Sequence, residues 1–144
     1  MIKEPTVLLI EDNEGDIELI KEAFVNTEIR KSLKICTNGE QAIDYIKDSN
    51  RQGQKYLPSI ILLDINLPKI DGKEVLIFLK NDQKLKKIPV IILSSSALPK
   101  DIAFAYENHA NSYIVKPSTL MDFTKAIRCI EMYWIDCVTY PKAT

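Results

Sequence analysis

Five polar side chains have types that suit phosphoryl chemistry, and each comes just after a largely apolar run of four residues. Two carboxylates follow residues 7–10, one follows residues 60–63, a hydroxyl follows residues 90–93 and an ammonium follows residues 112–115: Glu11, Asp12, Asp64, Ser94 and Lys116. Three carboxylates gathered at one place would repel one another, and a hard divalent cation such as Mg²⁺, bound through oxygen atoms, relieves that repulsion. The hydroxyl and the ammonium add donors for phosphoryl oxygens. The set therefore suits transfer of a phosphoryl group to a carboxylate.

The run before Asp64 is the element around which the others are arranged. Its residues, Ile-Ile-Leu-Leu at 60–63, have no polar face, which predicts a strand covered on both sides in a parallel sheet. Asp64 then lies at the carboxyl end of that strand, the edge at which open α/β sheets bind their ligands. Pro68 and the Asp71-Gly72 pair supply turn residues, so the chain leaves the sheet there.

Five β–α units are predicted along the chain, which favours a parallel sheet with helices on both faces. Asn13 or a neighbour caps the first helix, and residues 32–36 alternate as a strand near the sheet edge does. We expect residues 48–58, which are mostly polar, to form a long surface loop. The last helix is predicted to start near Ser118 or Thr119 and to run to about residue 138. The order of the strands stays open at this point.

Length and composition predict one ordinary soluble domain. The chain has 144 residues, 46% of them hydrophobic and 27% charged, with a net charge of −1. We expect a single domain over residues 1–144, with a core at about 6–130 and a helical extension at about 131–144. There is no basic surface for nucleic acid, no apolar stretch that spans a bilayer and no secretory leader, which predicts a cytoplasmic protein with reduced cysteines.

The motifs together resemble the receiver domain of two-component response regulators over residues 6–130. The residues that carry the likeness are Glu11-Asp12, Leu-Asp-Ile-Asn-Leu-Pro at 63–68 followed by Asp71-Gly72, Pro-Val-Ile-Ile-Leu-Ser at 89–94 and Tyr-Ile-Val-Lys-Pro at 113–117. The resemblance implies a flavodoxin-like (CheY-like) three-layer α/β sandwich, with a five-stranded parallel sheet of order 2-1-3-4-5.

The resemblance also implies a role for each residue of the site. Asp64 is the phosphoacceptor. Mg²⁺ is held by Asp12, Asp64 and the backbone carbonyl of Asn66, and Glu11 shapes the metal site. Ser94 is the switch hydroxyl at a position where threonine is common, and a shift of one residue along the serine run would select Ser95 instead. Lys116 pairs with the phosphoryl group, and Tyr113 is the aromatic switch that changes the face made by the fourth helix, fifth strand and fifth helix.

A narrower likeness is to the phytochrome-associated single-domain regulators. It rests on Glu-Asp-Asn-Glu-Gly-Asp at 11–16, the polar stretch at 48–58 and the Trp-containing tail. It implies a partner histidine kinase of the phytochrome type, a photoreceptor. His109 is the only histidine and is expected to be an exposed residue at a helix end, so the phosphoryl donor is predicted to be another protein.

Three other functions are each disfavoured by particular residues of the chain. A haloacid-dehalogenase-type phosphatase needs a general acid two residues after its nucleophile, and Asn66 cannot serve as one. A nucleotide or flavin binder needs a phosphate loop after the first strand, where Glu11-Asp12 would repel phosphate. A receiver-like scaffold that is never phosphorylated should have lost Asp64 or Lys116. We therefore predict a signalling protein that promotes its own phosphotransfer and dephosphorylation, not a conventional enzyme.

The tail is predicted to mediate self-association. Residues 130–138 are apolar except for Glu131 and Asp136, and on a helix they point almost all round, so one face of the domain cannot bury them all. Either the tail folds back over its own domain or it meets a partner, of which a second copy is the commonest. We expect a homodimer with these interface residues: Tyr133, Trp134, Ile135 and Val138.

Overall fold

A computed structural model describes residues 4–141; the last three residues of the predicted extension, 142–144, lie outside the described part. Five strands form one parallel sheet of order β2-β1-β3-β4-β5, which confirms the predicted fold. The strands are β1 (Thr6–Ile10), β2 (Ser32–Cys36), β3 (Ile60–Leu63), β4 (Val90–Ser94) and β5 (Ser112–Val115). The helices are α1 (Glu14–Val25), α2 (Gly39–Gln52), α3 (Gly72–Lys80), α4 (Pro99–Glu107) and α5 (Leu120–Ile130).

Helices cover both faces of the sheet and divide the core into two layers. Alternate residues of β1 face opposite ways: Leu8 and Ile10 pack with α2, α3 and α4, whereas Val7 and Leu9 pack with α1 and α5. All four residues of β3 have no exposed surface. The absence of a polar face in that strand is thus explained by helices on both of its sides.

Local capping fixes where several helices begin and end. The side chain of Asn13 accepts a hydrogen bond from the Asp16 N–H at the start of α1, and the Asp71 side chain does the same for the Lys73 N–H in α3. His109 follows α4 with a φ of 68° and is exposed. Its predicted place at a helix end is confirmed.

The predicted loop at residues 48–58 is wrong in its first half. Helix α2 continues to Gln52 and ends at Gly53, whose φ of 131° favours glycine, and a short 3₁₀ turn follows at Gln54–Tyr56. Ser49 is buried, one helical repeat beyond the apolar residues Ala42 and Ile46. The buried stripe therefore continues through a small polar residue, which the hydrophobic pattern does not reveal.

The chain stays helical after α5, as predicted, but with wider winding. Residues Glu131–Cys137 form a π-helix, called here the π-helical tail. Ile135 is only 6% exposed and belongs to the core that contains α1 and α5, and Trp134 packs against that core. Of the four residues predicted for a dimer interface, Ile135 is therefore covered by its own chain, Trp134 and Val138 are half-buried, and Tyr133 is exposed.

Candidate functional site

Three carboxylates meet at the carboxyl edge of the sheet, between β1 and β3. These strands pair in parallel with Ile10 opposite Leu63, so the residues that follow them, Glu11 and Asp64, become neighbours. Together with Asp12, they place one carboxylate oxygen each within 4.8 Å of the others. Glu11 and Asp64 are buried whereas Asp12 is exposed, which leaves one side of the acidic group open to solvent.

The Lys116 ammonium lies inside this acidic group. Its Nζ is 2.6 Å from Glu11 Oε1, 3.1 Å from Asp64 Oδ2 and 2.8 Å from Asp16 Oδ2, and its side chain is 7% exposed. The Lys116 backbone N–H donates to the Ser94 carbonyl at 2.7 Å, so the end of β5 is tied to the end of β4. The sheet thus brings together the predicted groups from the ends of β1, β3 and β5.

Burial and charge shift the pKa values of two of these groups. Burial raises the pKa of Glu11 to about 7 and the charge of Asp64 adds to this, while hydrogen bonding to Lys116 opposes it. Burial alone would lower the pKa of Lys116, but its hydrogen bonds to Asp16 and Glu11 outweigh burial and raise it. The lysine therefore stays charged, and the carboxylates still outnumber it.

The donor set fits a hard divalent cation. Glu11, Asp12 and Asp64 offer only oxygen atoms, and one ammonium cannot neutralise the carboxylates around it. A bound cation would supply the missing positive charge.

The loop between β3 and α3 contacts Asp64 and fixes its position. Asp64 Oδ1 accepts a hydrogen bond from the Asn66 N–H at 3.0 Å. Gly72, the first residue of α3, passes so close that a Cβ there would lie 2.2 Å from the Asp64 carbonyl oxygen. Because Asn66 offers a backbone N–H and an amide side chain at the second position after Asp64, no general acid stands there.

A hydrogen-bonded network joins the end of β4 to β5, α3 and α4. Ser94 ends β4 and is fully buried, whereas the next serine, Ser95, is exposed. The Tyr113 hydroxyl donates to the Ser96 carbonyl at 2.8 Å, and the Ser96 hydroxyl donates to Asp101 in α4. Asp101 in turn pairs with Lys73 of α3 at 2.7 Å.

Asp16 is the contact to Lys116 that sequence reasoning missed. It is the third residue of α1, four positions after Asp12. A carboxylate in the first turn of a helix is commonly explained by the helix dipole. No local pattern in the sequence links Asp16 to Lys116, which lies 100 positions later in the chain.

The chain belongs to the response regulator receiver domain family, whose family model matches residues 7–128. This is a family of signalling domains. Response regulator Rcp1 of Synechocystis sp. is 37% identical over 137 residues, which cover 95% of this chain and 93% of Rcp1. The predicted family and the likeness to phytochrome-associated regulators are confirmed by these matches and by the solved structures that follow.

Three solved structures are similar over nearly their whole length. The Mn²⁺-bound form of Rcp1 has a TM-score of 0.87 at 37% identity, covering 96% of this chain and 99% of that one. The phosphorylated cyanobacterial phytochrome response regulator RcpA has a TM-score of 0.88 at 38% identity, covering 97% and 100%. The bacteriophytochrome response regulator AtBRR has a TM-score of 0.72 at 35% identity, covering 92% and 96%.

Within residues 4–141, none of the helices combines the length and the apolar character needed to cross a bilayer.

Proposed function

We propose that this chain is a cytoplasmic single-domain response regulator that accepts a phosphoryl group on Asp64 from a partner histidine kinase. The observation that carries the proposal is that Asp64 lies beside the acidic pair Glu11-Asp12, with the Lys116 ammonium 3.1 Å from its carboxylate. In the reaction, a carboxylate oxygen of Asp64 forms a bond to phosphorus as the bond from phosphorus to the donor's imidazole nitrogen breaks. The product is an acyl phosphate on Asp64.

Mg²⁺ is the proposed cation of the site. Asp12, Asp64 and the Asn66 carbonyl would hold it, with Glu11 shaping the site beside them; when bound, it would neutralise charge on the phosphoryl oxygens. The acidic group of this chain and the Mn²⁺ bound to the related Rcp1 support a divalent cation here. Lys116, kept charged by its carboxylate neighbours, would pair with a phosphoryl oxygen.

Ser94 and Tyr113 are the proposed switch. A phosphoryl group on Asp64 adds acceptors that draw the Ser94 hydroxyl toward the site and move the loop that follows β4. That loop carries the Ser96 carbonyl, to which the Tyr113 hydroxyl donates, so its movement would change the position of Tyr113. The face expected to respond is that of α4, β5 and α5, and its exposed apolar residues are Leu98, Tyr106, Val115, Leu120 and Met121.

A phytochrome-type photoreceptor kinase is the proposed donor. RcpA, a phytochrome response regulator, and AtBRR, a bacteriophytochrome response regulator, both cover more than nine-tenths of this chain and support that assignment. We also propose that the site hydrolyses its own acyl phosphate, by attack of water on phosphorus that releases inorganic phosphate and restores the Asp64 carboxylate.

Phosphorylation is tested by mass analysis of the intact chain after incubation with Mg²⁺ and acetyl phosphate. We expect one added phosphoryl group on the wild-type chain and none on Asp64→Asn, which keeps the shape but removes the nucleophile. Asp44→Asn, an exposed aspartate on α2, is the matched control and should be phosphorylated like the wild type. Undiminished phosphorylation of Asp64→Asn would contradict the proposal.

We propose in addition that the chain forms a homodimer through the outer side of the π-helical tail. Met132 and Tyr133 are 64% and 56% exposed there, next to the half-buried Trp134, and Val138 follows them. In sedimentation at tens of micromolar, Tyr133→Lys should shift the chain toward monomer. Tyr56→Lys, which changes an exposed tyrosine elsewhere, should not. A wild-type chain that sediments as a monomer, with and without phosphorylation, would contradict self-association.

A further inference from the structure

The start of α2 lies directly against the loop that joins β3 to α3, called here the β3–α3 loop (residues 64–71). Gly39, the first residue of α2, is buried there. A Cβ built on Gly39 would overlap the Ile70 carbonyl oxygen and lie 2.9 Å from the Ile70 Cβ. Because packed atoms cannot overlap, any side chain at position 39 would push the start of α2 and the β3–α3 loop apart.

The β3–α3 loop is closed at its base, beside the proposed phosphoacceptor. The Gly72 N–H donates a hydrogen bond to the Ile65 carbonyl at 3.0 Å, which joins the two ends of the loop. Within the loop, the Asn66 N–H donates to Asp64 Oδ1, also at 3.0 Å. A closed loop has little freedom to absorb a displacement, so a shift in one part of it is expected to move Asn66 relative to Asp64.

Gly39 supports this loop more firmly than the neighbouring ion pair does. The side chains of Leu67 and Ile70 pack against the core layer that contains α2 and α3, so the loop is held on its inner side. Lys69 of the loop pairs with Glu40 of α2 at 3.8 Å, but the two side chains are 64% and 58% exposed and such a pair contributes little. The close approach at Gly39 therefore sets the distance between α2 and the loop.

We propose that Gly39 is a positioning residue for the phosphoacceptor site. Because Gly39 has no side chain, the start of α2 closes on Ile70 and holds the β3–α3 loop in the shape in which Asn66 meets Asp64. The inference rests on the proposed function, in which Asp64 accepts the phosphoryl group and the Asn66 carbonyl binds Mg²⁺. Gly39 acts only through the loop.

The test compares Gly39→Ala with the wild-type chain in two measurements. Hydrogen exchange of the Asn66 N–H, followed by NMR in the metal-free chain, reports whether its hydrogen bond to Asp64 persists. Calorimetry gives the affinity of the site for Mg²⁺. We expect faster exchange and about tenfold weaker Mg²⁺ binding in Gly39→Ala, the usual size of the loss when the support of a metal ligand is removed.

Gly53→Ala is the matched control for the loss of a glycine from α2. Gly53 follows the last residue of the same helix, about 20 Å along the helix axis from Gly39. Its φ of 131° disfavours alanine, so this variant should lower the urea midpoint yet leave the Asn66 exchange and the Mg²⁺ affinity as in the wild type. Equal losses in Gly39→Ala and Gly53→Ala would show a general effect of stability and overturn the inference. It is also overturned if either quantity is unchanged in Gly39→Ala.

A milder change at the start of α2 keeps the inference testable if Gly39→Ala does not fold. The Asn38 side chain accepts a hydrogen bond from the Gln41 N–H at 2.8 Å and so fixes the first turn of the helix. Asn38→Ala removes this cap, whereas Asn38→Ser keeps an oxygen acceptor without adding charge. The Asn66 N–H should exchange faster, and Mg²⁺ should bind more weakly, in Asn38→Ala than in Asn38→Ser. Identical values in these two variants would then overturn the inference.

The wild-type chain separates failure of this inference from failure of the proposed function. If the wild type binds no Mg²⁺, the proposed metal site fails and the inference fails with it. If the wild type binds Mg²⁺ and is phosphorylated by acetyl phosphate, and Gly39→Ala does not differ from it in Asn66 exchange or Mg²⁺ affinity, only the inference fails.

Discussion

Breaking the buried ion pair between Lys31 and Glu131 should lower the free energy of unfolding, by an amount that follows from the burial of the two side chains. Lys31 lies between α1 and β2 and its side chain is 5% exposed; Glu131 begins the π-helical tail and its side chain is 2% exposed. The Lys31 ammonium also donates to the carbonyls of Phe24 at 2.9 Å and Ile29 at 2.8 Å. One side chain therefore joins the end of α1, the following loop and the tail.

We expect Lys31→Met to lower the free energy of unfolding by about 3–5 kcal/mol, the usual cost of removing one partner of a buried pair. The substitution leaves the Glu131 carboxylate buried with the Thr27 hydroxyl as its remaining donor at 2.8 Å. Replacing both partners, in Lys31→Met with Glu131→Met, should restore most of the loss because no buried charge remains.

Urea unfolding followed by far-UV circular dichroism measures the change. With about 1.5 kcal/mol per molar urea for a domain of this size, the midpoint should fall by about 2–3 M in Lys31→Met. Fluorescence of Trp134, which lies in the tail, reports in parallel whether the tail detaches before the domain unfolds.

Lys21→Met is the matched control. Lys21 forms an exposed pair with Glu18 at 3.3 Å on α1, and its loss should cost no more than about 0.5 kcal/mol. If Lys31→Met shifts the midpoint no further than Lys21→Met, the buried pair does not hold the tail and the reasoning is wrong.

Three further predictions concern the site. Because the pKa of Glu11 is raised to about 7, a proton competes with a metal below that pH, so Mg²⁺ affinity by calorimetry should be roughly tenfold higher at pH 8 than at pH 6; the same dependence in Glu11→Gln would contradict this. Gly72→Ala should lower the urea midpoint by the equivalent of about 1–3 kcal/mol, since its Cβ would overlap the Asp64 carbonyl; an unchanged midpoint would refute the close approach. Ser94→Ala should still be phosphorylated yet lose most of the change in Tyr113 that NMR detects on phosphorylation, whereas a defect in Ser95→Ala alone would move the switch one residue along.

The strands, and the polar residues that follow four of them, could be predicted from the sequence alone. Four large apolar residues in succession, as at Ile60–Leu63, are compatible only with an element covered on both sides. The starts of several helices could also be predicted, because a cap such as Asn13 acts on a backbone N–H only three residues away. Both signals depend only on neighbouring residues, so they can be recognised without knowledge of the rest of the chain.

The ends of the helices and the packing of the tail were harder to predict from the sequence. Ser49 is buried although serine is not a hydrophobic residue, so the hydrophobic pattern did not predict where α2 ends. Ile135 looked like an interface residue because the tail is apolar on all sides, yet the structure buries it against its own domain. Which of the apolar residues of the tail are covered depends on the direction in which the tail leaves α5.

The pairing of distant charged residues follows from the fold and not from any local pattern. Lys31 pairs with Glu131 and Lys116 pairs with Asp16, in each case a partner about a hundred residues away in the chain. No local pattern specifies such a pair, because either charge alone would also suit a solvated surface. The partners become neighbours through the strand order and the seating of α1 and α5 on one face of the sheet, and once buried there each charge requires the other.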